Sequence, residues 1–80
     1  MSDLLVSLLA CISSYRKEDL QKMIDRKQDI DSLVIEFARQ NDFTSYDLLN
    51  FTFEESKQVK KLLDIKFNHY FGYDFPFHSV

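Results

Sequence analysis

The side chains able to do chemistry are few and scattered in this chain of 80 residues. Cys11 is the single cysteine, inside the apolar run Leu4 to Ile12 with no histidine or basic residue nearby in sequence. A catalytic thiol needs such a neighbour to lower its pKa, so Cys11 reads as a small buried hydrophobe. One cysteine also excludes an internal disulfide framework and any multi-cysteine metal site. The two histidines, His69 and His78, stand on either side of Gly72. His69 has Tyr73 at i+4 and Ile65 at i−4, so no second ligand lies at helical spacing. A metal there would have to borrow carboxylates from elsewhere in the chain. Ser7, Ser13 and Ser14 lack the flanking glycine of a nucleophile elbow. The carboxylate pairs Glu18-Asp19 and Glu54-Glu55 each fall in the first turn of a predicted helix, where the helix dipole already accounts for them. With a single Gly, no loop can cradle a phosphate in the P-loop or dinucleotide manner. The expectation is a protein that is not an enzyme and holds no cofactor or metal.

Lys57, Lys60 and Lys61 share a face of the last predicted helix, with Lys66 further along. Phosphates on those lysines, with bases stacked on nearby aromatics, would make a weak nucleic-acid binder. Glu54, Glu55 and Asp64 share the helix, and the net charge of the chain is −3. With a pI near 5.2 the chain lacks the basic character that general nucleic-acid binding needs. A solvated lysine face is the default reading.

These residues must be positioned by helices. Hydrophobic residues make up 45% of the chain and charged residues 29%, the balance of one folded globular domain. One Gly and one Pro are too few for a meander of tight hairpins. The fold class is therefore all-α, a small compact bundle of four to five helices. Ser2 caps a first helix over residues 3–13, whose apolar residues run nearly all the way round. That helix is either central to the bundle or meets a partner on its second face. A second helix over 16–27 carries Leu20, Met23 and Ile24 on a narrow stripe. Asp29 or Asp31 caps a third, over 32–41, lined by Ile30, Leu33, Val34, Phe37 and Ala38. Asn41 ends it, as a residue that tolerates the left-handed conformation.

Two capping boxes follow, Thr44 with Asp47 and Thr52 with Glu55. They start a one-turn helix over 45–50 and a long helix from Phe53 that stops at Gly72. Val59, Leu62, Leu63, Phe67, Tyr70 and Phe71 form its buried stripe, so that the first, third and last helices make the core. Residues 1–72 are the domain. Residues 73–80 are an extended tail with aromatics at alternate positions, packed on the domain or on a partner chain. The apolar N-terminal run lacks the positive charge of a secretory signal and the length of a membrane span, which places the protein in the cytoplasm.

Residues 30–48, IDSLVIEFARQNDFTSYDL, resemble the core of the nitrogen-fixation-associated leader-type domain of bacteria, especially cyanobacteria. Ala38-Arg39-Gln40 matches that family's helix end, and Phe43, Thr44, Asp47 and Leu48 match its next helix start. The chain has Asn41-Asp42 where the family commonly has Gly, and no Gly-Gly cleavage site. The resemblance implies a domain recognised by a peptide-modifying enzyme.

From the residues themselves, the first functional expectation is a non-enzymatic protein–protein interaction module of adaptor or inhibitor type. Its partner surface is expected at Tyr70, Phe71, Tyr73, Phe75 and Phe77, because aromatic anchors dominate interface energetics. The competing reading of the tail is that it caps its own core. An acidic patch at Asp25, Asp29, Asp31 and Glu36 would suit an inhibitor of a basic partner. Leu5 and Leu9 on the first helix are the expected self-association surface of a homodimer. Leader-type recognition and weak nucleic-acid binding are the alternatives.

Overall fold

Four of the five helices begin at a side chain that accepts the orphan backbone N–H groups of the first turn. The computed structural model describes residues 2–77, so His78 and the rest of the tail beyond Phe77 lie outside the described residues. Among the described residues there are five α-helices and no strand: α1 (Asp3–Ser13), α2 (Lys17–Asp25), α3 (Ile30–Gln40), α4 (Ser45–Leu49) and α5 (Phe53–Phe71). Ser2, Asp29, Thr44 and Thr52 accept from the N–H groups of Leu5, Ser32, Asp47 and Glu55. Asp47 and Glu55 complete their boxes by accepting from the N–H of Thr44 at 2.7 Å and of Thr52 at 3.0 Å. Only α2 lacks a capping oxygen at its start, where the Asp19 carboxylate instead accepts from the N–H of Arg16 at 2.9 Å.

Helix ends follow a different rule. The left-handed residue after α5 is Gly72 at φ 80°, the one position where glycine's freedom is used. After α3 the left-handed residue is Asp42 at φ 62° rather than Asn41, which remains at φ −114°. The N–H of Phe43 then reaches back to the carbonyl of Ala38 at 2.9 Å, the long bond of a Schellman ending. Lys27 at φ 50° plays the same part after α2, with Gln28 N–H on the carbonyl of Met23 at 3.0 Å. That ending stops α2 at Asp25, two residues short of the sequence expectation.

The core lies where α1, α3 and α5 meet. Leu4, Leu5, Leu8 and Ile12 of α1 pack with Leu33, Val34 and Ala38 of α3 and with Val59, Leu63 and Phe67 of α5. Leu20 and Met23 bring α2 onto the same cluster. Helix α1 is buried along the face of Leu4, Leu5, Leu8 and Ile12, while Val6 and Ala10 on its other side are exposed. Leu5, expected at a self-association surface, is instead fully buried in the protomer's own core, and Leu9 is half-buried against it. No helix of the described residues is long and apolar enough to cross a membrane.

Two hydrogen bonds fix the pairing of α1 with α5. The Ser2 hydroxyl donates to the Glu55 carboxylate, and Lys66 Nζ donates to the Ser13 carbonyl at 2.9 Å. Both pairs are separated by 53 residues, so the two helices run parallel with a constant offset. Parallel helices place two positive dipole ends side by side. Glu55 sits at that junction with one oxygen on Thr52 and the other on Ser2, and Lys66 answers at the far end by capping a terminal carbonyl of α1. The Ser2 hydroxyl is the leading cause that holds the Glu55 carboxyl below its ordinary pKa.

Candidate functional site

The aromatic tail turns back onto α5. Asp64 accepts from the N–H of Phe75 at 2.9 Å and from Lys60 Nζ at 2.8 Å. Asn68 joins the Asp64 carbonyl to the side chain of Asp74. Phe75, expected on a partner surface, is 0% exposed and meets the edge of Phe67 with ring centroids 5.3 Å apart. It is a core residue of this chain, because α5 ends soon enough for the tail to reach Phe67. Tyr70, Phe71 and Phe77 are half-buried against the same cluster, and Tyr73 is exposed while lying 6.1 Å from Phe67. Four of the five aromatics are joined through Phe67, which meets Phe71, Tyr73 and Phe75, with Phe77 against Phe75, while Tyr70 meets the ring of His69.

A cleft of about 640 Å³ with a mixed polar and apolar lining opens between α1, α2 and α3. Cys11, Tyr15, Lys22, Arg26, Glu36 and Gln40 are among its walls. Burial, followed by the charge and hydrogen bond of the neighbouring Cys11, pushes the Tyr15 hydroxyl up to about 12. Glu36, placed by sequence in an exposed acidic patch, instead accepts from Gln28 and Gln40 and lies 3.8 Å from the Arg26 guanidinium. Asp25 and Asp31 are exposed, and Asp29 is held at its capping position. Among the described residues no three of His, Cys, Asp or Glu are gathered as a metal would require. His69 is exposed beside the ring of Tyr70.

The lysine face of α5 is largely engaged within the protein. Lys57 lies 3.6 Å from Glu54 and over the ring of Phe53, and Lys60 pairs with Asp64. Lys66 caps α1 and lies over Tyr70.

The three most exposed large apolar side chains fall in a different region, while Ile65 of α5 and Val6 of α1 are also exposed. Leu49 is 85% exposed, Phe53 74%, Tyr46 73% and Ile35 55%. Tyr46 and Leu49 stand three apart on α4 and share a face, and Phe53 opens α5 just beyond. Beside them Val34, Ile35, Leu48, Leu49 and Phe51 line a groove of about 580 Å³, with Asp31 at its edge. No residue of α4 is buried. Two capping boxes hold this segment in place, so the exposure does not come from a missing helix signal.

Charge is distributed unevenly along the sequence, although Asp31 is the one charged residue among those lining the groove. Residues 29–56, the segment that includes the lining residues, contain seven acidic residues and one basic residue, Arg39, a net charge of −6. The rest of the chain has nine basic and six acidic residues, a net charge of +3. The overall −3 conceals this division, which a windowed charge count along the sequence would have found. Comparison of the chain with known protein families, with curated proteins and with solved structures found no match.

Proposed function

We propose that this protein is a non-enzymatic interaction module of adaptor or inhibitor type, and that it meets its protein partner through the α4 face. The observation that carries this is the exposure of Ile35 and Leu49 on one apolar groove, together with exposed Tyr46 on α4 and Phe53 at the start of α5. An isolated exposed leucine means little, but a cluster rimmed by polar side chains is the usual mark of an interaction site. The leader-type reading points to the same place, since the segment 30–48 that resembles that family spans α3 and α4. In that reading the partner is a peptide-modifying enzyme.

The test is site-specific photocrosslinking in the cells that make the protein. A photoreactive residue at position 49 should give one dominant adduct to another protein, and the same residue at exposed position 25 should not. A position 49 that reacts no more than position 25 would refute the interaction reading at this face.

A further inference from the structure

We infer that the cleft between α1, α2 and α3 is a binding site for a small, singly charged organic anion, a carboxylate on a compact apolar body. The cleft shares no lining residue with the α4 groove. Helix α3 serves both, with Glu36, Phe37 and Gln40 on the cleft and Val34 and Ile35 on the groove.

The charges on the cleft walls decide the sign of the ligand. Both acidic side chains of the lining are already engaged by this chain. Glu36 accepts from Gln28 at 2.8 Å and from Gln40 at 3.3 Å, one bond on each carboxylate oxygen. Asp19 accepts from the N–H of Arg16 at the start of α2. The cations of the lining are freer. Lys22 takes part in no ion pair among the described residues. The Arg26 guanidinium reaches Glu36 only at 3.8 Å, too long for a hydrogen bond, and its side chain is 64% exposed. Its N–H donors are therefore available to a ligand. Lys22 and Arg26 stand four residues apart at the end of α2, so they share a face, and like charges at that spacing repel. An anion between them relieves that repulsion and gains charge-assisted hydrogen bonds. A second negative charge would meet Glu36 and Asp19, which limits the ligand to one.

The rest of the lining sets the body of the ligand. Buried Met23 and Leu33, with half-buried Cys11 and Phe37, present apolar surface beside those cations. Small-molecule sites combine such surface with a few polar groups that fix orientation. The cleft volume also lies in their ordinary range of about 300–1,000 Å³.

The experiment adds phenylbutyrate or octanoate to the isotope-labelled full chain and follows the backbone amide shifts. Phenylbutylamine has the same body with the opposite charge, acetate lacks the body, and phenyl phosphate carries a second charge. At least one of the two apolar carboxylates should saturate in the millimolar range, with the largest shifts at the cleft walls. It should bind at least fivefold tighter than each of the three controls. Which carboxylate binds better tells an aromatic body from an aliphatic one. Lys22→Gln should weaken binding at least threefold, and Ala10→Trp, which fills the cleft from α1, should abolish it. Lys22 is an exposed side chain, so its replacement reads binding rather than folding. Equal binding of the amine, tighter binding of the phosphate, or saturation by neither carboxylate would overturn the inference. So would shifts centred on α4, or an affinity that Lys22→Gln leaves unchanged. Either failure leaves the α4 reading standing, because position 49 lies outside the cleft.

Discussion

The two ends of α5 are both rich in aromatic and aliphatic side chains, and they treat them in opposite ways. At the C-terminal end Phe67, Phe71, Tyr73, Phe75 and Phe77 form a continuous chain of ring contacts, with centroids 5.3–6.1 Å apart along it. At the N-terminal end Tyr46, Leu49 and Phe53 stand mostly in solvent. Apolar content does not separate the two regions. What separates them is whether the backbone can return to the core. Gly72 turns left-handed and Asp64 captures the N–H of Phe75, which closes the tail over Phe67. Around α4 the capping boxes fix a single turn with no buried residue, whose outer face no described residue covers.

Phe75→Ala is the strongest test of that contrast. Removing a fully buried aromatic ring leaves a cavity against Phe67 and costs about 3–5 kcal/mol. Small domains of this kind are stable by only about 5–15 kcal/mol, so urea unfolding of the variant should shift by a large part of its range. A variant as stable as the unaltered chain would mean that the tail does not close on its own core.

Glu55→Ala comes next. It removes the reciprocal cap of α5 and the anchor of Ser2 at the paired helix starts, a charged hydrogen-bond acceptor whose loss costs about 2 kcal/mol. The pH dependence follows from the direction of the shift. The Glu55 carboxyl lies below its ordinary 4.5 when folded, so its contribution is complete above that value and falls away as pH drops through the lower folded pKa. The capping carboxylates of Asp29 and Asp47 are lowered in the same direction by their backbone hydrogen bonds with Ser32 and Thr44. Glu55→Gln should therefore flatten part of the acid limb of stability below about pH 4.5 and leave the rest to those two. An unchanged acid limb would show that the Ser2–Glu55 bond does not persist in solution.

Gly72→Ala separates conformation from space. A methyl group at that position meets nothing within 4 Å, but the backbone is at φ 80°. The expected cost is about 1 kcal/mol, from left-handed strain alone. A smaller effect would mean that the turn into the tail relaxes to an ordinary φ.

Much of the fold was legible in the sequence, because capping is local chemistry. A serine, threonine or aspartate that accepts from the backbone N–H three residues on declares a helix start without reference to the rest of the chain, and Ser2, Thr44 and Thr52 did so. The stripes of α3 and α5 were equally plain, since those helices are long enough to show a period. The candidate site was not legible for the converse reason. Helix α4 has five residues, too few turns for any period to appear, and Ile35 sits beside the buried Val34 with nothing in its type to mark it as outward-facing. The tail drew attention because its aromatics alternate, yet alternation cannot say which neighbour receives them. Only the approach of Asp64 and Phe67 decides that Phe75 goes inward.

The smallest expected effect on stability bears most on function. Leu49→Ser, Tyr46→Ser and Phe53→Ser each remove a side chain that is at least 73% exposed. Surface substitutions that break no cap stay within about 0.5 kcal/mol, and all three positions lie outside the pairs Thr44–Asp47 and Thr52–Glu55 that start α4 and α5. Each variant should unfold at nearly the same urea concentration as the unaltered chain, while Phe75→Ala does not. Costs as large as that of Phe75→Ala would place these side chains in a core and erase the distinction between the two ends of α5. Neutral unfolding of Tyr46→Ser and Phe53→Ser combined with loss of the adduct formed at position 49 would leave only one account of their exposure, a surface kept apolar for another molecule rather than for the fold.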